Sequence, residues 1–197
     1  MRRFLWILIA VCLPALLGFW LNAEQAAPNE EPRYTAKNQM AKPANYREWV
    51  WLSSGFGMSY REGSNIAGDP PFDNVFVSPA AYRSFMQTGE WPDKTVMVLE
   101  VRESVSRASI NKGGHFQGGQ IGMEVHVKDS NRFPGKWAFF GFDGKSETGT
   151  LIPTSASCYS CHEQNGAVDT TFVQFYPTLL EVAKRKGTLK ANYEGQR

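Results

Sequence analysis

Cysteine is scarce in this chain, which has three copies in 197 residues. Cys12 lies inside an apolar run near the N-terminus, where a cysteine acts as a small hydrophobic residue. A framework of several disulfides is therefore excluded, and a chain of this length buries a sufficient core without one. The two other cysteines, Cys158 and Cys161, lie close together in the sequence and need a separate explanation.

The chain also lacks an excess of charge of one sign. It contains 21 Lys and Arg against 19 Asp and Glu, and the two additional cations are Arg2 and Arg3. A nucleic-acid partner requires clustered cations that neutralise phosphates, so the composition argues against such a partner. Aromatic residues make up 13% of the sequence, a share that argues against a disordered chain.

A long hydrophobic run extends from Phe4 to Leu21, directly after the two arginines. A signal peptide has an apolar region of about 7–15 residues and a membrane-spanning helix needs about 20, and this run lies between the two. We interpret residues 1–23 as an export signal and favour its cleavage over its retention as an anchor in the inner membrane. The body is then periplasmic or otherwise exported, and residues 4–21 are its only membrane contact if they are retained.

The rest of the chain divides into a polar tether at residues 24–44, a folded body at 45–190 and a tail at 191–197. Strand patterns follow one another in the body without intervening helices, which predicts an antiparallel sheet. The expected fold class is α+β, a mainly antiparallel β-sheet with flanking helices. The predicted elements are a capped turn at Asn45, strands at 50–52, 75–77, 96–101, 122–127 and 137–142, a loop at 53–71, and helices from Pro79 to Gly89 and from Pro177 to Gly187.

The two cysteines of the body belong to the sequence Cys158-Tyr159-Ser160-Cys161-His162, a Cys-x-x-Cys-His motif. Two thiols at this spacing add to the two vinyl groups of one haem, and the adjacent imidazole reaches the iron. Export delivers a chain to the compartment in which this attachment takes place. The motif therefore predicts one covalently attached haem c per chain, with His162 as the axial ligand of the iron.

Three other uses of the two thiols are less well supported. A zinc site would need further ligands from His115, His126 and His162, which lack the paired spacing of zinc motifs. A thioredoxin-like redox pair belongs to a βαβ context, which this sequence lacks. A plain structural disulfide is the third alternative.

Methionine is absent after His162, so the downstream ligand of an ordinary electron-transfer cytochrome c has no candidate. We therefore expect a five-coordinate iron that is open to a small ligand. The methionines upstream in the body are better explained by core packing: Met40, Met58, Met86, Met97 and Met123.

Further segments of the body have a recognisable pattern beside the haem motif. They are 45–50, 75–79, 89–96, 121–129, 137–139, 158–162 and 175–177. Together they resemble the cytochrome P460 family, which includes the β-sheet cytochromes c′, and the resemblance covers residues 45–187. It implies a mainly antiparallel sheet with helices, a homodimer, one covalently attached haem and a proximal histidine.

The resemblance also indicates where this chain departs from true cytochromes P460. Those proteins oxidise hydroxylamine and carry a bond from a lysine side chain to the porphyrin edge. The matching position here is Leu99, so this crosslink cannot form, and Lys94 in the preceding turn cannot simply replace it. A leucine resembles instead the β-sheet cytochromes c′, whose apolar pockets bind nitric oxide.

Glu124 matches the distal carboxylate that P460 proteins use as a proton acceptor. On an alternating strand it shares one face with Gly122 and His126. Two interpretations stay open: this face is solvated, or Glu124 lies in the haem pocket, where burial against Leu99 raises its pKa and suits it to relay protons. His126 receives no role, and His115 is expected at the surface.

Two classes of function follow from these expectations. The first is an oxidoreductase that acts on hydroxylamine or nitric oxide, uses Glu124 as a base and passes electrons to a periplasmic redox partner. The second is a non-enzymatic scavenger or sensor that binds nitric oxide, similar to cytochrome c′-β. An electron carrier is a distant third, because no methionine ligand is evident.

Overall fold

The computed structural model describes residues 30–59, 68–191 and 193. Within them lie seven strands and three α-helices, together with two short 3-10 helices at Tyr46–Glu48 and Val173–Phe175. The elements are β1 (Met40–Ala41), β2 (Val50–Phe56), β3 (Phe72–Val77), α1 (Pro79–Thr88), β4 (Val96–Val105), β5 (Phe116–Lys128), β6 (Trp137–Phe142), β7 (Thr148–Leu151), α2 (Ser157–Asn165) and α3 (Pro177–Lys186).

The seven strands form one antiparallel sheet in the order β1-β7-β6-β5-β4-β3-β2. From β3 to β7, each strand lies beside the one that precedes it in the chain, and β1 lies at the far edge beside β7. Sequential strands pair in this way when short connections join them. The arrangement confirms the predicted α+β fold with a mainly antiparallel sheet.

The sheet separates two hydrophobic cores, because successive side chains of a strand point to opposite faces. On one face, Val125 packs in a cluster with Trp49 from the N-terminal part of the body. On the other face, Met97 packs in a cluster with Phe85 of α1 and Leu179 of α3. The second face, which carries the helices, also carries the candidate site.

Helices α1 and α3 begin and end where the sequence predicted. Each has proline in its first turn and ends at a glycine in the left-handed region, Gly89 with φ 79° and Gly187 with φ 68°. Glycine takes this conformation without the steric cost of a Cβ atom. At Gly89 a Cβ would also lie 2.7 Å from Cβ of Lys186, so the close approach of the two helix ends requires glycine there.

The folded region begins earlier than the predicted start at Asn45. Strand β1 pairs with β7, and Met40 is 1% exposed in the core, so part of the predicted tether at 24–44 belongs to the sheet. A strand of two residues is too short to show a pattern. The predicted capped turn is a 3-10 helix, and Asn45 before it has φ 55° and makes no capping hydrogen bond, so the capping prediction was wrong.

Several strands are longer than predicted, and β7 and α2 were missed as well as β1. Strand β2 extends into the predicted loop at 53–71, of which residues 60–67 lie outside the described residues. Strand β7 has only four residues, and α2 has a polar sequence without a buried residue. Neither shows the apolar periodicity from which elements are predicted.

The described part of the chain contains no helix long and apolar enough to cross a membrane. The predicted export signal at residues 1–23 lies outside the described residues, as does most of the tail at 191–197. These assignments stay predictions.

Candidate functional site

Helix α2 carries the Cys-x-x-Cys-His motif. Residues three and four positions apart lie on the same face of a helix, so Cys158, Cys161 and His162 point to one side of α2. Both cysteines are free thiols and are half-buried. Burial raises the pKa of the Cys158 thiol, and the charge of Glu124 on β5 raises it further.

Two features position α2 and the segment after it, the hydrogen bonds of Tyr159 and the turn at Gly166. The Tyr159 hydroxyl donates to the Ile152 carbonyl at 3.0 Å and accepts from the Phe139 N–H at 3.3 Å. After the helix the chain folds back at Gly166, where a Cβ atom would lie 2.7 Å from the His162 carbonyl oxygen. Glycine at this position therefore allows the following residues to return along His162.

The imidazole of His162 is oriented by the returning segment. Its Nδ1 lies 2.7 Å from the Thr170 carbonyl oxygen, so Nδ1–H donates a hydrogen bond there and Nε2 is left for another partner. Burial lowers the pKa of His162 below its usual value, which favours the neutral ring that binds a metal.

A cavity of about 310 Å³ lies between the sheet and the segment that follows α2, and His162 is part of its wall. Its lining is mostly apolar and aromatic. The lining residues are Ser53, Gly55, Met58, Asp73, Val75, Met97, Leu99, Glu124, Val125, His126, Phe139, His162, Thr171, Phe172, Phe175 and Tyr176.

Three rows of side chains cross the sheet beneath this cavity. The first row contains Val77, Met97, His126 and Phe139, the second contains Val75, Leu99, Glu124 and Gly141, and the third contains Asp73, Val101 and Gly122. The His162 ring contacts the first row, with its centroid 4.6 Å from that of Phe139. Rows on one face lie about 6.4–6.8 Å apart along a strand, so the third row is the farthest from His162.

Leu99 and Glu124 are direct cross-strand partners and both line the cavity. Glu124 is an exposed residue that lines the cavity. Burial of the carboxyl group raises the pKa of Glu124, and the charge of Asp73 raises it further. Lys94, by contrast, forms an ion pair with Asp129 away from the cavity.

Asp73 is a cavity residue that the sequence interpretation missed. It lies on β3, opposite Val101, and burial raises its pKa above the usual value. The sequence signal that could have identified Asp73 was the alternation of side chains along a strand, which places Asp73 on the same face as Val75 and Val77. The strand was predicted to begin only at Val75, so this acidic residue on an apolar face went unnoticed.

His126, to which the sequence gave no role, is 8% exposed and lies in the cavity wall. Its ring stacks on Phe139 with 4.0 Å between centroids and lies 5.1 Å from the ring of His162. Burial and the neighbouring His162 hold the pKa of His126 well below its usual range, so it is neutral at physiological pH. His115 is exposed, as predicted.

The methionines of the body occupy different environments. Met40 and Met123 are buried in the core on the opposite face of the sheet, as predicted. Met97 is buried on the cavity side, and Met58 lines the cavity as well. Met86 is 37% exposed, so the prediction of core packing was wrong for this residue.

The sequence model of the cytochrome P460 family matches residues 43–173, which is most of the folded region. The chain belongs to the cytochrome P460 family. No curated protein matches it. Family membership makes the chain a c-type haem protein, and the cytochromes P460 are typically exported.

The residues of this chain fit the haem that its family implies. Cys158 and Cys161 supply free thiols, His162 supplies a neutral and already oriented imidazole, and an apolar cavity adjoins that imidazole. A metal ion held by side chains alone has no comparable site, because the described residues contain no group of three or more His, Cys, Asp or Glu suited to it.

Proposed function

We propose that this protein is an exported monohaem cytochrome whose five-coordinate iron binds or oxidises small nitrogen compounds, such as hydroxylamine and nitric oxide. The supporting observation is a cavity with His162 at one end and Glu124 on its floor. In this proposal Cys158 and Cys161 hold one haem per chain through thioether bonds, and the chains form a homodimer. A periplasmic redox partner receives the electrons if the protein is an enzyme.

The haem supplies the redox chemistry and an open iron position when it is bound. Each N–H or O–H bond that is oxidised releases a proton and an electron, and a carboxylate oxygen of Glu124 takes the proton. The raised pKa of Glu124 suits this step, because a general base works best when its pKa approaches the working pH. Val75 and Leu99, beside Glu124 in the same row, give the carboxyl group apolar neighbours.

A second candidate function, binding of nitric oxide without turnover, is supported by Leu99. This leucine stands where the family's crosslinking lysine is expected, directly opposite Glu124. The apolar wall suits a neutral diatomic ligand, which needs no proton transfer to bind. The two functions therefore differ in their need for the Glu124 carboxylate.

Replacement of that carboxylate separates the two functions. Glu124→Gln keeps the volume of the side chain and removes the base, so turnover of hydroxylamine should fall by about 10²–10⁴-fold, the usual contribution of general base catalysis. Affinity for nitric oxide, measured by titration of the ferrous spectrum, should change far less. Glu103→Gln is the matched control, because Glu103 is an exposed residue outside the cavity lining.

Equal turnover in Glu124→Gln and the unmodified protein contradicts the enzymatic role of Glu124. Tight nitric oxide binding without measurable turnover in either protein identifies a scavenger or sensor. Failure to bind either compound contradicts the proposed function as a whole.

A further inference from the structure

His126 occupies an unusual place in the cavity wall, on the side of the iron ligand. Its ring is sandwiched among aromatic groups, with centroids 4.0 Å from Phe139 and 4.3 Å from Trp137. The His126 and His162 rings meet edge to face, at 5.1 Å and 76°. A polar ring in such surroundings restricts how the His162 imidazole can rotate.

Thr170 joins the two histidines through different atoms. Its carbonyl oxygen lies 2.7 Å from Nδ1 of His162, and its Oγ1 lies 3.4 Å from Nε2 of His126. The second hydrogen bond forms with either tautomer, because Nε2 can accept from the hydroxyl or donate to it. Thr170 therefore connects a strand of the sheet to the axial ligand.

The residues on either side of Thr170 are also held in place. Asp169 pairs with Lys128 at 2.9 Å, and the Thr171 hydroxyl accepts a hydrogen bond from Trp91 Nε1 at 2.8 Å. These contacts fix the course of the backbone through the turn. The contact with His126 holds the Thr170 side chain itself. His126 lies on the same strand as Glu124.

We propose that His126 is a positioning residue for the iron ligand, which orients the His162 ring and, through Thr170, holds the carbonyl that accepts the Nδ1–H bond. This inference rests on the proposed ligation of iron by His162. A hydrogen bond from the second nitrogen to a carbonyl raises the basicity of a histidine ligand. A more basic ligand stabilises ferric iron, so the His126 network lowers the reduction potential of the haem.

The test measures the reduction potential and the iron–histidine vibration of the ferrous holoprotein in His126→Phe and Thr170→Val. His126→Phe keeps the aromatic stacking and removes the hydrogen bond, and Thr170→Val removes only the hydroxyl. Each should shift the iron equilibrium towards the ferrous form by about tenfold, which is 59 mV for a one-electron couple. Each should also lower the frequency of the iron–histidine vibration, because the ligand is a weaker donor.

Three further variants keep the inference falsifiable. Thr170→Ser retains the hydroxyl and should keep the reduction potential of the unmodified protein. The double variant His126→Phe/Thr170→Val should shift the potential no further than either single variant, because both changes remove the same hydrogen bond. Val127→Ala is the control for a destabilised β5, since Val127 is buried on the opposite face. If His126→Phe does not take up haem, Thr170→Val and Thr170→Ser decide the question.

The inference is overturned if Thr170→Val and His126→Phe have the same reduction potential as Val127→Ala. His162→Ala separates this failure from failure of the proposed ligation. If His162→Ala retains the unmodified iron–histidine vibration, the ligation itself is wrong. Results with hydroxylamine and nitric oxide do not enter the comparison.

Discussion

Two carboxyl groups lie on the cavity floor, Glu124 in the second row of the sheet and Asp73 in the third row, farther from His162. Both groups have a raised pKa, in each case chiefly because burial disfavours the charged form. The charge on Asp73 adds to this effect at Glu124, because like charges oppose ionisation. Asp73 is thus placed to adjust the basicity of Glu124 without standing beside His162.

The residue-scale prediction concerns Asp73→Asn. This change removes the neighbouring charge and lowers the pKa of Glu124 towards its usual value. In the proposed function the deprotonated carboxylate of Glu124 is the base, so turnover should rise as the pH passes upward through that pKa. The acid limb of kcat/KM for hydroxylamine should therefore move to lower pH, whereas Asp143→Asn, at an exposed residue, should leave it in place.

Other titratable groups near Glu124 do not obscure this result. Among the described residues, Cys158 no longer titrates once it forms a thioether, and His126 is kept neutral by burial. An acid limb at the same pH in Asp73→Asn and the unmodified protein would contradict the coupling between the two carboxyl groups.

At the scale of elements, α2 brings both thiols and the imidazole to one side of a short helix. Because thioether formation consumes one thiol per vinyl group, Cys158→Ala or Cys161→Ala should greatly reduce the yield of covalent holoprotein. Haem staining after denaturing electrophoresis measures this yield in a host with a c-type maturation system. Ser160→Ala, at an exposed residue between the two cysteines, is the control. Unmodified protein that matures there and then loses its haem to acidified organic solvent would contradict covalent attachment.

The elements also show why the sequence predicted the sheet better than the site. Strands β4 to β6 have strong alternation or apolar runs, and the alternation of β5 correctly put Glu124 and His126 on one face. Whether that face is solvated depends on α2 and the segment after it, which cover the sheet from more than 30 positions later in the chain. Helix α2 has no apolar stripe, so neither the cavity nor the contact of His126 with His162 followed from local pattern.

The face of β4 opposite the cavity contains a buried charge, Glu100, which is 2% exposed. It accepts a hydrogen bond from the Tyr46 hydroxyl at 2.7 Å and forms ion pairs with Arg47 and Arg102. Removing one partner from such a cluster leaves buried groups unsatisfied, at a cost of about 3–5 kcal/mol. Arg102 also donates to the Gly118 carbonyl at 2.6 Å, so the cluster helps to hold β4 against β5.

We expect Glu100→Ala to lower the free energy of unfolding by about 3–5 kcal/mol, as measured by urea denaturation of the holoprotein. Glu147→Ala is the control, because that side chain is 83% exposed and its pair with Lys42 spans 3.9 Å. An exposed pair of this kind contributes about 0–1 kcal/mol. Equal midpoints and slopes for the two variants would show that the Glu100 cluster adds nothing to stability.

At the scale of the whole molecule, the sheet keeps the structural charge cluster and the carboxyl groups of the cavity on opposite faces. Two neighbouring residues of β4 lie on these two faces: Leu99 lines the cavity, and Glu100 belongs to the charge cluster on the other face. The site itself combines residues from β2 to the segment after α2, so it exists only once the sheet and the C-terminal third have come together. Haem that binds the assembled form and not the unfolded chain stabilises the whole fold.

The coordination state of the iron is a property of this whole arrangement. Met97 and Met58 are the methionines among the described residues that line the cavity. Met97 belongs to the first row, whose His126 and Phe139 contact the His162 ring, so Met97 lies on the His162 side of the cavity. The Met58 sulfur packs directly over Gly55 of β2, where it would clash with any added Cβ atom.

We therefore expect the ferrous protein near neutral pH to have a high-spin, five-coordinate spectrum that Met58→Leu and Met97→Leu leave unchanged. Leucine keeps most of the volume of methionine and removes the sulfur, so the two variants test ligation and not packing. The optical and resonance Raman spectra measure the spin and coordination state. A six-coordinate, low-spin spectrum that Met58→Leu converts to high spin would mean that a thioether closes the site. Because a closed site has no position for hydroxylamine or nitric oxide, that result would identify an electron carrier.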